Sequence, residues 1–256
     1  MADNSDIIAL TSGGPHSWIM INALQDRFGD FPVIVEKGEP EELFWKRRRK
    51  MLGPLKVASM QAARLPIKMT KSGTDRIIND MITRHHLEPE PRLCSNIIRV
   101  PSVNSDACRR VLKAAGPKAV FVVSTRIISS ATLESVDAPF INYHSGINPA
   151  YRGMFGGYFA LANGDPEHFG ATVHLIDQGV DTGEVLYQSS VDVERGDNFH
   201  TYLWRIAAHS RGIVVRAMDD ALNGSLNPKT VNLPSKQWFA PTLGGYVWAG
   251  LRRGVW

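Results

Sequence analysis

Short apolar runs that alternate with helical patterns constrain this chain more than any other feature. Ile7-Ile8-Ala9-Leu10 ends at Thr11-Ser12-Gly13-Gly14-Pro15, and Trp18, Ile21, Leu24 and Phe28 then recur at helical spacing. Pro32 to Glu36 reads as a second strand, and Glu41 to Met51 as a charged helix. Gly53 to about Pro91 is helical but irregular and reads as an inserted region. Alternation resumes with strands at Asn96–Val100 and Ala119–Val123 flanking a helix at Ser105–Ala115, which Gly116-Pro117 closes. Strands follow at Pro139–Tyr143, Gly170–Ile176 and Val185–Val193, and a long amphipathic helix at Asn198–Leu222 ends at Asn223-Gly224. Strands alternating with helices imply an α/β fold: a Rossmann-like, mainly parallel sheet covered by helices on both faces. Ligands bind such sheets beyond the carboxyl ends of the strands.

Length and composition suit one large packed domain or two small ones. With 256 residues, 43% of them hydrophobic, the chain is long enough to bury a sizeable core and too apolar to be disordered. A net charge of +4 is too weak to argue for nucleic acid. Cys94 and Cys108 provide neither a disulfide framework nor metal-ligand spacing, so no metal is expected. The polar start at Met1–Asp6 lacks a signal-peptide pattern, and no apolar run approaches the roughly 20 residues of a membrane span; a cytoplasmic location is expected. We divide the chain into an α/β domain over 1–227, with its helical insertion around 53–91, and an aromatic-rich tail over 228–256. The tail holds Trp238, Phe239, Tyr246, Trp248 and Trp256 without a clear period; it is expected to fold back onto the core or to form a homodimer contact.

The chemistry-bearing stretch is Phe140-Ile141-Asn142-Tyr143-His144, which ends a strand with polar groups two positions apart. Side chains alternate along a strand, so Asn142 and His144 point the same way. An amide donor beside an imidazole suits a carbonyl whose oxygen gains negative charge. Downstream, Gly179-Val180-Asp181-Thr182-Gly183 offers a carboxylate in a turn between glycines, able to orient His144 or accept a proton. Each residue alone has a plainer account: a lone Asn or Asp near a strand end is commonly a turn former.

Taken together, five pieces resemble the formyltransferase family that uses 10-formyltetrahydrofolate, which includes phosphoribosylglycinamide formyltransferase and the catalytic domain of methionyl-tRNA formyltransferase. They are Asn142-Tyr143-His144, Pro149-Ala150-Tyr151-Arg152-Gly153, Asn163-Gly164-Asp165, Gly170-Ala171-Thr172-Val173-His174 and Val180-Asp181-Thr182-Gly183. The resemblance runs from about Val100 to Gln188. It implies the formyltransferase fold, 10-formyltetrahydrofolate as co-substrate, a small-molecule amine as acceptor (phosphoribosylglycinamide-like, an amino sugar nucleotide or an amino acid derivative), and one-carbon chemistry of the purine-biosynthesis kind. It implies Asn142, His144 and Asp181 as the catalytic set, and Arg126-Ile127-Ile128 with Val180 and Asp181 around the pterin ring. The expected mechanism is direct attack by the amine on the formyl carbon, without a covalent enzyme intermediate.

Ser12, Gly13 and Gly14 precede a helix, so their amides are candidates for holding an acceptor's phosphate; a tight turn is the structural alternative. The sequence departs here from the phosphoribosylglycinamide pattern, which has an asparagine after the first glycine, and Pro15 removes one donor. His174 is read either as a sheet histidine or as a supporting residue on the acceptor side. The basic run Lys46-Arg47-Arg48-Arg49-Lys50 reads first as a solvated helix face, and second as a contact to RNA or an acidic substrate. The short stretch beyond about residue 224 disfavours transfer RNA as acceptor. Two other functions are consistent with the residues: a formyltetrahydrofolate hydrolase, and a nucleotide binder without chemistry that uses the first turn and Glu36. The latter lacks a complete G-x-G-x-x-G.

Overall fold

A computed structural model describes residues 6–93 and 95–256; Met1–Ser5 and Cys94 lie outside the described residues. The first βα unit follows from the sequence pattern. β1 (Ile7–Thr11) is buried at every position, and its residues divide between two core layers by simple alternation. Ile7 and Ala9 join one layer, Ile8 and Leu10 the other. Gly13 and Gly14 both adopt positive φ, which explains glycine there, and Pro15 opens α1 (Pro15–Phe28).

β2 (Val33–Glu36) and β3 (Ile97–Val100) continue the sheet on one side of β1. β4 (Ala119–Val123) and β5 (Phe140–His144) continue it on the other, and all of these pairings are parallel. Between β2 and β3 lie α2 (Glu41–Leu52), α3 (Pro54–Met69) and α4 (Thr74–His85). The segment returning to β3 is tied to α1 by Asn22 Nδ2, which donates to the carbonyls of Glu88 and Glu90, each at 2.8 Å. α5 (Asp106–Ala115) is capped by Ser105 and packs Cys108 and Leu112 under the layer of Ile8 and Leu10. The short α6 (Ser130–Leu133) follows β4.

Beyond β5 come β6 (Arg152–Gly153) and α7 (Gly156–Ala162). β7 (Gly170–Leu175) and β8 (Val185–Ser190) then extend the sheet with antiparallel pairings. The seven-stranded order is β3-β2-β1-β4-β5-β7-β8. It reverses direction at β1 and β4, opening a crevice at their carboxyl ends. α8 (Tyr202–Leu222) crosses the sheet against α1, β7 and β8. Helices thus cover both faces of the sheet.

Two boundaries differ from the sequence reading by three residues or more. β8 stops at Ser190 rather than Val193, because the Val191 amide turns to bond the Phe169 carbonyl at 2.7 Å. α8 starts at Tyr202 rather than Asn198, because residues 198–201 form a turn in which the Asn198 amide bonds Thr201 Oγ1 at 2.8 Å. The tail is ordered and folded back. β9 (Gln237–Trp238) pairs with β6, and α9 (Leu243–Arg253), capped by Thr242, packs on α3 and α7. No helix of the described residues is long and apolar enough to cross a membrane.

Candidate active site

The carboxyl ends of β1, β4 and β5 open into a cavity of about 850 Å3. Asn142, His144, His174, Val180 and Asp181 all line it, together with Arg126, Ile127, Ile128 and Ser12. Four of these side chains meet. Asn142 on β5 stands opposite His174 on β7, so strand pairing alone makes them neighbours. The Asn142 amide nitrogen lies 3.1 Å from His174 Nε2 and 3.4 Å from Asp181 Oδ1. His174 Nδ1 bonds the Leu175 carbonyl at 2.7 Å, which places its proton on Nδ1 and leaves Nε2 to accept from Asn142 when the ring is neutral. His144 Nε2 donates to the Tyr151 carbonyl at 2.8 Å, and Nδ1 faces Asp181 Oδ2 at 3.6 Å. His144 Nδ1 is therefore the ring nitrogen turned toward the carboxylate.

Asp181 is held by its loop. It adopts φ of 51°, the left-handed region that Asp tolerates better than most residues. Its Oδ2 accepts the Gly153 amide at 2.9 Å, and Arg152 donates to the neighbouring Val180 carbonyl at 2.6 Å. Asp177 braces the turn by accepting from the Gly179 amide at 2.9 Å and the Thr182 hydroxyl at 2.6 Å. A Cβ at Gly183 would lie 1.8 Å from the Leu175 carbonyl oxygen, so only glycine allows the loop to return. Burial works against ionising Asp181. The charge of His144, the bond and charge of His174 and the Gly153 amide outweigh it, holding the carboxyl well below the usual carboxylate range. Asp181 is an anion at neutral pH.

The loop after β4 is anchored from behind. Glu36 is buried, with one carboxylate oxygen accepting the Arg126 amide at 2.8 Å and the other accepting the Val103 amide at 3.0 Å. Arg126 Nε lies 2.6 Å from the same carboxylate, and its Nη2 donates to the Lys37 carbonyl at 2.6 Å. Asn104 bonds the Ile127 carbonyl at 2.9 Å and the Ser129 amide at 2.8 Å. Ile128 is packed into the core while Ile127 is exposed. Because Glu36 is spent on these bonds, it is not presented to a ribose, and the nucleotide-binder reading loses its acid.

The first turn is arranged differently from an anion cradle. The Ser12 amide bonds the Ser124 carbonyl at 3.2 Å, and the Ser12 hydroxyl bonds the same carbonyl. The Gly13 amide bonds Thr11 Oγ1 at 2.9 Å. Gly13 and Gly14 are absent from the cavity wall, which His16 reaches instead. The tight-turn account therefore describes Ser12 and Gly13 better than the phosphate account. His16 sits edge-on to Trp204 at 5.0 Å, and burial pushes its imidazole down to about 4.

Several contributors lay outside the sequence reading. A Cβ at Gly146 would fall 2.4 Å from the Tyr151 carbonyl oxygen and 2.6 Å from His144 Nε2, so Gly146 makes room for the bond that orients His144. Trp238 from the tail lines the cavity and donates to the Ala150 carbonyl at 3.0 Å, beside the β6–β9 pairing that carries Gly153. The basic helix face needs a correction. Lys46, Arg49 and Lys50 are exposed, but Arg47 and Arg48 belong to the cavity wall because α2 leans over the open end of the sheet. The signal available in the sequence was the Phe44-Trp45 pair beside the cations, aromatic residues that a wholly solvated face does not need. Among the described residues, no group of His, Cys, Asp and Glu is arranged to hold a metal ion.

With this geometry in hand, comparison with known proteins is decisive for the family. Residues 65–218 match the formyl transferase family. The chain belongs to that family. A methionyl-tRNA formyltransferase from Thermodesulfovibrio yellowstonii is 30% identical over 119 residues, which make up 46% of this chain and 38% of that relative. The aligned part is thus well under half of the relative's length. Phosphoribosylglycinamide formyltransferase from Anaplasma phagocytophilum superposes with a TM-score of 0.56 at 17% identity, covering 85% of this chain and 87% of that one. A sugar 3N-formyltransferase solved in the presence of dTDP and 5-N-formyltetrahydrofolate gives 0.55 at 17% identity, covering 91% and 69%. At these identities the structural likeness is one of fold, and the formyltransferase fold is what this chain has.

Proposed function

We propose that this formyltransferase moves a formyl group from 10-formyltetrahydrofolate to the amine of a small acceptor. The observation that carries the reading is the meeting of Asn142, His144, His174 and Asp181 at one end of the cavity. His144 Nδ1, which faces the Asp181 carboxylate at 3.6 Å, is the nitrogen from which the ring offers a proton to the oxyanion that forms when the amine adds to the formyl carbon. Asn142 supplies the second donor. Its 3.4 Å contact to Asp181 is the longer of its two, and that hydrogen turns to the formyl oxygen when donor is bound. Asp181 serves as counter-ion rather than as base, because a carboxyl held so low has little affinity for a proton. Over the whole reaction one proton passes from the attacking amine to the leaving N10 of tetrahydrofolate, so none is gained or lost.

The donor's pterin fits the wall formed by residues 124–128 and 176–181, where Ile128 and Val122 give an apolar floor and backbone groups the polar edge. Names of the relatives point to methionyl-tRNA, phosphoribosylglycinamide and amino sugars as acceptors. The Ser12 and Gly13 amides of the first turn are already bonded, which argues against a phosphate held by those two.

The test is tetrahydrofolate formation from 10-formyltetrahydrofolate with a panel of amines and with none. Amine-dependent turnover is expected. Asn142→Ala and His144→Ala should each lower kcat by roughly 100- to 1000-fold, as loss of an oxyanion donor does elsewhere. Activity within a few-fold of wild type in both variants would refute the assignment, and formate release that ignores the amine would make the protein a hydrolase.

A further inference from the structure

The α2 wall of the cavity carries a cation with no carboxylate in ion-pair contact among the described residues. Arg48 on α2 is half-buried, with its guanidinium over the Phe44 ring at 5.0 Å and the Phe239 ring at 4.8 Å. Its polar neighbour is the Met154 sulfur, 3.5 Å from Nη2. Glu39, the nearby carboxylate, is paired with Arg47. Arg126, the other arginine reaching this cavity from the loop after β4, is paired with Glu36. Arg48 therefore lines the cavity with no carboxylate in ion-pair contact among the described residues, and the Met154 it touches follows Gly153, whose amide bonds Asp181. Burial first and then the neighbouring Arg47 charge work against the charged guanidinium, and the Glu39 carboxylate offsets them only in part.

Stacking against aromatic rings covers the faces of a guanidinium and leaves its N–H edge to bind, the arrangement suited to bidentate oxygen anions. The first glycine turn, where a βα unit ordinarily holds phosphate, has its Ser12 and Gly13 amides committed and lacks one at Pro15. The α2 wall offers a phosphate a second place, where Arg47 and Arg48 together outnumber Glu39, the one carboxylate beside them, which pairs with Arg47.

We propose that Arg48 is the docking point for a phosphate group of the amine acceptor, in a subsite on the α2 wall of the cavity. This deepens the formyl-transfer reading and rests on it for the word acceptor, while the anion site itself is tested separately. The intact protein is titrated calorimetrically with inorganic pyrophosphate, with malonate and with 5-formyltetrahydrofolate. Pyrophosphate should bind the wild type at least tenfold more tightly than malonate. Arg48→Gln should weaken pyrophosphate at least tenfold and leave 5-formyltetrahydrofolate within about twofold. Arg49→Gln, the same charge change on the exposed side of α2, should alter pyrophosphate less than twofold.

Should Arg48→Gln fail to fold, phenylglyoxal modification of wild type followed by peptide mapping gives a second readout, in which pyrophosphate should protect Arg48 and spare Arg49 no label. Equal pyrophosphate affinity in Arg48→Gln and wild type, no binding to wild type, tighter malonate binding, or unprotected Arg48 would each overturn the subsite. Failure of 5-formyltetrahydrofolate to bind while pyrophosphate behaves as expected would instead remove the formyl-transfer reading and leave the anion site standing.

Discussion

Gly146 shows how much of this site is decided by a single missing atom. His144 donates from Nε2 to the Tyr151 carbonyl, and a methyl group at position 146 would stand 2.6 Å from that nitrogen and 2.4 Å from that oxygen. Gly146→Ala should push the ring off its carbonyl and turn Nδ1 away from Asp181. A displacement of about 1 Å at a catalytic group can cost on the order of 100-fold in rate, so a comparable fall in kcat is expected, with destabilisation of about 1–3 kcal/mol from overpacking. Steady-state assay together with urea unfolding separates the two effects. Unchanged kcat in a folded variant would mean that the Tyr151 bond does not orient His144. Asn142 and His144 were legible from strand alternation because both lie on one strand and one face. Tyr151 and Gly153 entered only as parts of a motif, and the roles of all three, Gly146 included, were not legible, because their contributions are a gap, a carbonyl and an amide, which side-chain chemistry does not advertise.

Among the elements, the loop after β4 and the strand pair β6–β9 do the positioning. Glu36 at the end of β2 holds the Arg126 amide and guanidinium and the Val103 amide with one buried carboxylate. Glu36→Gln keeps the size but replaces one accepting oxygen with a donor, leaving an N–H facing an N–H. The expected result is a KM for 10-formyltetrahydrofolate raised about tenfold, roughly 1.4 kcal/mol of binding, with kcat nearly unchanged. A fall in kcat at constant KM would contradict the positioning role. Glu36 was visible in the sequence, where its place at a strand end suggested a ribose contact. Its true direction depends on how β3 and β4 flank β2 and β1, a matter of tertiary assembly. The tail gave an equally partial signal: its aromatic residues announced burial, but without a period they could not say that Trp238 would reach the cavity beside Gly153.

For the molecule as a whole, stability should depend on acid through His16 and Asp181. The folded state holds His16 near a pKa of about 4, whereas an unfolded histidine titrates near 6.5, so the unfolded chain binds the extra proton between those values. Stability conferred by the neutral ring is therefore complete above about pH 6.5 and declines as pH falls toward 4. Asp181, whose carboxyl is held low, adds its own loss below the ordinary carboxylate range. His16→Phe should flatten the decline between pH 6.5 and 4 by on the order of 2 kcal/mol, measured by urea unfolding at a series of pH values. An identical slope in wild type and variant would show that His16 does not stay neutral in the fold.

Local pattern determined which segments become strands and helices, that the sheet is mainly parallel, and that polar groups at the end of β5 face one way. These are properties of neighbours in the chain, set by a period of two or of 3.6 residues and by glycine and proline at turns. Tertiary structure decided which distant groups meet. It brought Asp181 to His144, closed the first turn's amides on Thr11 and Ser124, turned Glu36 inward, and laid α2 over the cavity with Arg48 facing in. Those outcomes depend on strand order, loop return and packing between residues far apart in sequence, which no local period encodes.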